Sequence, residues 1–356
     1  MPPDALISLA AAATGHPHAR LFGRGTTALY AAFRALALLH GPGEIILPDL
    51  ICSTVFDAVL LAGHTPILAA VLPGRWTIDP ADVRRRITGR SRAVLVAHLF
   101  GHVATVQLDT FADLGLPIIE DAIQGFGGAV GRIGRVTILG FAPGKMIGGR
   151  GSLLLTSDAA LWQAVRAIAV DSSDVLRHLT ETTRPSADGG PDTRFVRYRP
   201  QVISAAPELL RAFDDSETNC AQIEAGWHHL PEQTALRNAN ARYLADRLTD
   251  TCLQLSTISD GDAVWRFTIV VPTVQSARWI ARHLQGDGLP GSRLYPSLSA
   301  LFTPDSVCPS AEIAPRLLNL WVDQTINRAK LDQMIAVIRA APGIVNAQGT
   351  TGAGGV

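Results

Sequence analysis

Along the first half of the chain, short apolar runs alternate with segments whose apolar positions recur at helical spacing. GRGTTALYAAFRALALLHG, residues 23–41, opens and closes on glycine and predicts an amphipathic helix. EIILP (44–48) follows as a short buried strand and residues 53–62 as a helix. TPILAAV (65–71) and RAVLVAHLF (92–100) read as strands around the helix IDPADVRRRI (78–87), which has Asp79 at its cap and Pro80 in its first turn. A short helix, VQLDTFADLG (106–115), leads to the strand LPIIEDA (116–122), and RVTILGF (135–141) and GSLLLT (151–156) are two further extended runs. No convincing strand leads into Gly23. Alternation of this kind predicts an α/β fold with a mostly parallel sheet between helices.

The pattern changes over residues 171–215. SADGGPDTRFVRYRPQ (186–201) is polar, with proline and glycine, and fits a lid, a subunit-contact arm or a disordered insertion. Residues 219–248 predict one long helix, continuous or broken. AVWRFTIVVP, SARWIARHL, RLLNLWVD and NRAKLDQMIAVIRAA then read as strand, helix, strand, helix. The expected organisation is a large domain over 1–225 that includes the variable segment 171–215, a small C-terminal α+β domain over 226–345, and a disordered tail over 346–356.

Composition narrows the class. Apolar residues make up 47% of the 356, enough for a substantial core, but no apolar run approaches the roughly 18 residues of a spanning helix. Residues 5–13 are apolar but short, and Met1-Pro2-Pro3-Asp4 is not the basic start of a secretory leader, so a cytoplasmic protein is expected. Lys plus Arg balances Asp plus Glu at 31 each, with no like-charge block, which argues against nucleic acid or a membrane surface as partner. Cys52, Cys220, Cys252 and Cys308 lie far apart, and the histidines include no HExxH, so neither a disulfide framework nor a metal site is expected.

The basic residues are almost all arginine; lysine occurs only as Lys145 and Lys330. Lys330 lies in a polar helix pattern. Lys145 lies between an apolar run and a glycine cluster, where a lysine can do what arginine cannot: lose its proton and form a Schiff base. Two other features fit beside it. Gly23-Arg24-Gly25-Thr26-Thr27-Ala28 opens a helix, whose free N–H groups and positive dipole end suit a phosphate. It also matches a dinucleotide fingerprint, for which Asp49 would take the ribose. Asp121 stands at a strand end, where open sheets place ligands, and serves equally as a helix cap or as the partner of a cationic ring nitrogen. The loop around Lys145 departs from a nucleotide phosphate loop, since its first glycine is one residue too close and Met146 replaces the magnesium-binding hydroxyl. Cradle, carboxylate and lysine, in that order, are what pyridoxal phosphate requires.

The linked motifs resemble the sugar aminotransferases of the DegT–StrS type, within the aspartate-aminotransferase-like fold. Gly25–Leu29 is similar to the family's G-[TS]-x-A-L phosphate segment. ILPDLICSTVFDAVLLAGHTPI, IDPADVRRRITGRSRAVLVAHLFGH, IIEDAIQGFGG and FAPGKMIGGRG resemble its later motifs in order. The resemblance implies that the large domain binds pyridoxal 5'-phosphate, with Lys145 in the Schiff base and Asp121 on the pyridine nitrogen. Gln124 would lie beside the 3-hydroxyl, and Gly25, Thr26 and Thr27 on the phosphate. It implies amino transfer from glutamate or glutamine to a keto-sugar, cyclitol or related keto intermediate, in a homodimer with active sites at the subunit boundary. Arg293 and Tyr295 are candidates for contact with the small-molecule keto substrate. A diverged lyase, racemase or condensing enzyme on the same cofactor, a non-catalytic dimer partner and a nicotinamide oxidoreductase are the other readings. Three positions depart from the family pattern: Cys52 stands where an aromatic ring-stacking residue is usual, Gly140 where a phosphate-binding serine is usual, and Ile123 where alanine is usual. Residues 212–216 replace its Asn-x-Arg-Met-Ser segment.

Overall fold

The computed structural model describes residues 2–104, 111, 113, 115–131, 134–170 and 198–345. Seven strands form the larger sheet: β1 (His18–Phe22), β2 (Glu44–Pro48), β3 (Thr65–Ala69), β4 (Ser91–Ala97), β5 (Ile118–Asp121), β6 (Val136–Phe141) and β7 (Gly151–Thr156). Their order is β1-β7-β6-β5-β4-β2-β3, and β7 alone runs against the rest. β5, β6 and β7 are buried along their whole length, which is why their sequences are near-continuous apolar runs.

Both faces of this sheet are covered. On one, α2 (Gly25–His40) and α3 (Ser53–Leu61) pack Phe33, Leu36, Phe56 and Val59 against Leu47, Leu95, Ile119 and Ile138. On the other, α1 (Pro3–Thr14) buries Leu6 and Ala10 in a cluster with Leu139, Leu153 and Leu155, while α4 (Pro80–Arg86) covers Ile46, Val94 and Val96. Two elements depart from the sequence expectation. The apolar stretch near the start is α1, capped by Gly15 in a left-handed turn. A strand, β1, does lead into Gly23. Its polar His18 and Arg20 conceal it, a pattern permitted because β1 is the sheet edge and pairs only with β7.

The expected long helix divides at His229 into Glu217–His228 and Leu230–Leu248, where Pro231 cannot donate to the preceding turn. A four-stranded sheet follows, ordered β10-β11-β9-β8, from β8 (Gln254–Leu255), β9 (Arg266–Val270), β10 (Gly291–Ser292) and β11 (Leu317–Trp321). Helices Val274–Gly286 and Arg328–Ala340 close its core through Ile280, Leu284, Leu331 and Met334. The architecture is the mostly parallel α/β body with a smaller α+β sheet that the pattern predicts. Most of the 171–215 segment, most of the short helix at 106–115 and the 346–356 tail lie outside the described residues. No helix among the described residues is long and apolar enough to cross a membrane.

Candidate active site

The carboxyl ends of β4 and β5 and the starts of α2 and α3 surround a cavity of about 460 Å³. This is where an open sheet exposes backbone groups that no neighbouring strand satisfies.

Lys145 reaches the cavity from the turn joining β6 to β7. The Lys145 N–H donates to the Ala142 carbonyl (3.0 Å), and Gly144 supplies the left-handed residue of the turn (φ 79°). Gly149 lies so close to the helix Glu217–His228 that a Cβ there would sit 2.5 Å from Ile223 Cγ1. Burial pushes the Lys145 amine down to about 8, with Asp121 pulling the other way. No hydrogen bond to its Nζ is made among the described residues; Nζ lies 3.8 Å from the centre of a Trp265 ring.

Asp121 is the last residue of β5 and lines the same cavity. Its Oδ1 accepts from the Ile123 N–H (3.1 Å), and its second oxygen has no partner among the described residues. Burial pushes this carboxyl above its ordinary value, against the pull of that N–H and of the Lys145 charge. A buried carboxylate short of donors is suited to a cation carried in by a ligand. Gln124 has its amide orientation fixed. Oε1 accepts from the Phe100 N–H (2.9 Å) and Nε2 donates to the Tyr295 hydroxyl (3.0 Å), leaving one N–H for the cavity. Tyr295 is 8% exposed, stacks on Phe100 at 5.9 Å, and has its phenol pushed up by burial.

The first turn of α2 forms the anion-binding end. Gly25 and Thr26 line the cavity together with Arg24, Arg150 and Arg211; the Arg24 guanidinium donates to the Glu208 carbonyl (2.7 Å) and that of Arg211 to the Glu208 carboxylate. A Cβ on Gly25 would meet Ile123 Cδ1 at 2.4 Å, and one on Gly140 would stand 2.8 Å from both Ile123 Cγ1 and Cγ2. The isoleucine is therefore wedged between the two glycines. Cys52, the residue before α3, also lines the cavity, with Sγ 3.2 Å from the Thr54 hydroxyl. These residues fit pyridoxal phosphate: free helix N–H groups and arginines for the phosphate, a donor-poor buried carboxylate for the ring nitrogen, and a depressed amine for the aldehyde.

Three residues named from sequence lie elsewhere. Thr27 is fully buried; its hydroxyl donates to the Leu209 carbonyl (3.1 Å) and accepts from the Arg211 N–H (3.0 Å), so it braces the cradle without facing it. Arg293 is exposed and donates to the Pro315 carbonyl (2.7 Å), outside the cavity. Asp49, the residue a dinucleotide would need, is fully buried and accepts from Ser297 Oγ (2.8 Å), Ser310 Oγ (2.6 Å) and the Ser299 N–H (2.6 Å). Trp265 escapes sequence reasoning, because nothing in one sequence joins it to a lysine 120 positions earlier.

The sequence profile of the DegT/DnrJ/EryC1/StrS aminotransferase family matches residues 6–339. The UDP-N-acetyl-3-dehydro-alpha-D-glucosamine 3-aminotransferase of Acidithiobacillus ferrooxidans is 28% identical over 67% of this chain and 69% of its own. The L-glutamine:scyllo-inosose aminotransferase of Streptomyces griseus is 30% identical over 70% of this chain and 57% of its own. The structure of NtdA from Bacillus subtilis with bound cofactor PMP superposes with a TM-score of 0.71 at 19% identity, covering 94% of this chain and 75% of that one.

Proposed function

Because the chain belongs to the DegT/DnrJ/EryC1/StrS aminotransferase family, we propose that it moves an amino group from glutamate or glutamine to the keto group of a sugar, a cyclitol or a related intermediate. Its cofactor is pyridoxal phosphate, which when bound supplies an aldehyde for the amine and a ring that accepts electrons from the substrate carbon. The observation that carries the reading is the pairing of Lys145 and Asp121 across one cavity. Burial drives each toward its neutral form, so each is poised for a partner.

Lys145 would act as nucleophile and then as proton carrier. An amine at about 8 keeps about a tenth of its population unprotonated at pH 7, against roughly one part in three thousand for an ordinary lysine. Asp121 would hold a proton on the ring nitrogen, and the free N–H of Gln124 would meet the ring oxygen. Gly25 and Thr26 would bind the phosphate, with the neighbouring arginines supplying charge. Tyr295, which lines the cavity, would touch the substrate. The same reading takes the protein as a homodimer with its active sites at the subunit boundary.

Borohydride reduction after incubation with pyridoxal phosphate should tag Lys145 and leave Lys330 unmodified, and Lys145→Ala should abolish the visible absorbance of the complex. A tag on any other residue, or none, would falsify the assignment. A panel of keto-sugars and cyclitols, scored for amine product with glutamate and with glutamine, then identifies acceptor and donor.

A further inference from the structure

Lys145 is a half-buried cation whose Nζ makes no hydrogen bond among the described residues, and what stands against its amine is an indole. That indole is held unusually firmly. Trp265 is 6% exposed; its Nε1 donates to the carbonyl of Gly144 (2.7 Å), the residue before the lysine, and its backbone N–H donates to the Phe100 carbonyl (2.8 Å). The next residue tightens the same contact. Arg266 donates to the Gly144 carbonyl (3.4 Å) and to Asp323 (3.3 Å), and its guanidinium lies 4.5 Å from the Trp265 ring and 4.1 Å from the Trp321 ring. The start of β9, from the smaller sheet, thus grips the lysine turn of the larger one and sets an aromatic face beside its amine.

An aromatic face attracts an ammonium through its quadrupole and has no comparable attraction for a neutral amine. We propose that Trp265 is a positioning residue for the amino transfer: its indole parks the ε-ammonium of Lys145 at the cavity wall and releases the amine into the cavity when the proton leaves. The proposal rests on the assignment of Lys145 as the reacting amine. It gives the lysine two positions selected by protonation. The free base can swing toward an aldehyde. The amine displaced by an incoming substrate, once it has taken up a proton, is drawn back onto the ring and clears the space it occupied. Arg266 supports the arrangement by fixing the indole and by disfavouring a second positive charge nearby, so that the parked ammonium gives up its proton readily.

The test uses the protein without cofactor, so its failure is distinct from failure of the Lys145 assignment. With only two lysines in the chain, competitive acylation by isotopically labelled acetic anhydride across pH 6–11 reports Lys145 directly, with Lys330, half-buried and donating to the Thr325 carbonyl (2.9 Å), as internal reference. Trp265→Phe keeps an aromatic face and should leave the Lys145 midpoint within a few tenths of a unit. Trp265→Leu keeps apolar cover without that face and should lower the midpoint by about half to one unit, with Lys330 unchanged. A Leu midpoint that is unchanged or raised shows that the indole is cover and not a perch, and overturns the proposal. If the leucine variant does not fold, the wild-type chain grown with mono-, di- and trifluorinated tryptophans gives the same answer without changing shape. The Lys145 midpoint should fall stepwise with fluorination, and a constant midpoint overturns the proposal.

Discussion

Glu120 and Asp121 are neighbours on β5 with opposite fates, because successive side chains of a strand point to opposite faces. Asp121 faces the cavity and accepts one hydrogen bond. Glu120 is buried on the other side and accepts from His98 Nε2 (2.8 Å), the Gly131 N–H (2.7 Å), the Gly134 N–H (3.2 Å) and the Thr137 hydroxyl (3.4 Å). His98 Nδ1 accepts from the Ala104 N–H (3.1 Å), so the proton sits on Nε2 and points at the carboxylate. Burial pushes Glu120 up, but these donors outweigh it and hold the group at about 2. A carboxyl depressed on folding stabilises the native state above its ordinary pKa and loses that contribution as pH falls toward its folded value. The expected outcome is an unfolding free energy that falls as pH drops from about 4.5 to about 2, by up to about 3 kcal/mol from this group, with a shallower slope in Glu120→Gln. Denaturant titrations at a series of pH values check it; equal slopes in the two proteins would remove Glu120 from the account.

Individual residues at the cradle matter through the elements they wedge apart. Ile123 begins the segment after β5 and fills the gap between the first residue of α2 and the end of β6, so glycine at 25 and at 140 is a packing requirement imposed by one side chain. Gly140→Ser should therefore destabilise the protein by about 1–3 kcal/mol through overpacking. Ile123→Ala should cost a similar amount through the space it opens. The double variant should cost at least about 1 kcal/mol less than the sum, because the smaller residue at 123 makes room for the hydroxyl. Chemical denaturation of the four proteins measures this coupling. Strict additivity would mean the backbone shifts to accommodate the serine and the wedge carries no constraint.

At the scale of the molecule, the cavity exists because two sheets are locked together. Asp262, ahead of β9, is 2% exposed and accepts from both terminal nitrogens of Arg75 (2.6 and 2.9 Å), from the Val103 N–H (2.8 Å) and from the Ser259 N–H (2.8 Å). The Trp76 indole donates to Ser256 (2.8 Å) beside it. Asp49 repeats the device farther along, receiving Ser297, Ser299 and Ser310 from the segment that carries Tyr295 to the cavity wall. Asp262→Ala leaves a largely buried guanidinium without its anion and should cost about 3–5 kcal/mol in an unfolding titration, with loss of the single sharp transition. A loss under about 1 kcal/mol with cooperativity intact would show that the sheets hold together without this contact.

How much of this could be read from the residues alone follows the range of the interactions. Apolar periodicity, glycine and proline punctuation and helix caps act within a few residues, so the larger sheet's central strands, the described helices between them and the order of cradle, carboxylate and lysine were legible along the chain, whereas the long helix over 219–248 was read without the position of its break. The scarcity of lysine itself singled out position 145. The edge strand β1 was not legible, because its partner β7 lies over 130 residues away and its own side chains are half polar. The same limit hid the burial of Thr27 and Asp49, the outward course of Arg293, the wedge of Ile123 and the indole beside Lys145. Each depends on which distant backbone approaches, and packing of the whole chain decides that, since no local propensity encodes a contact partner.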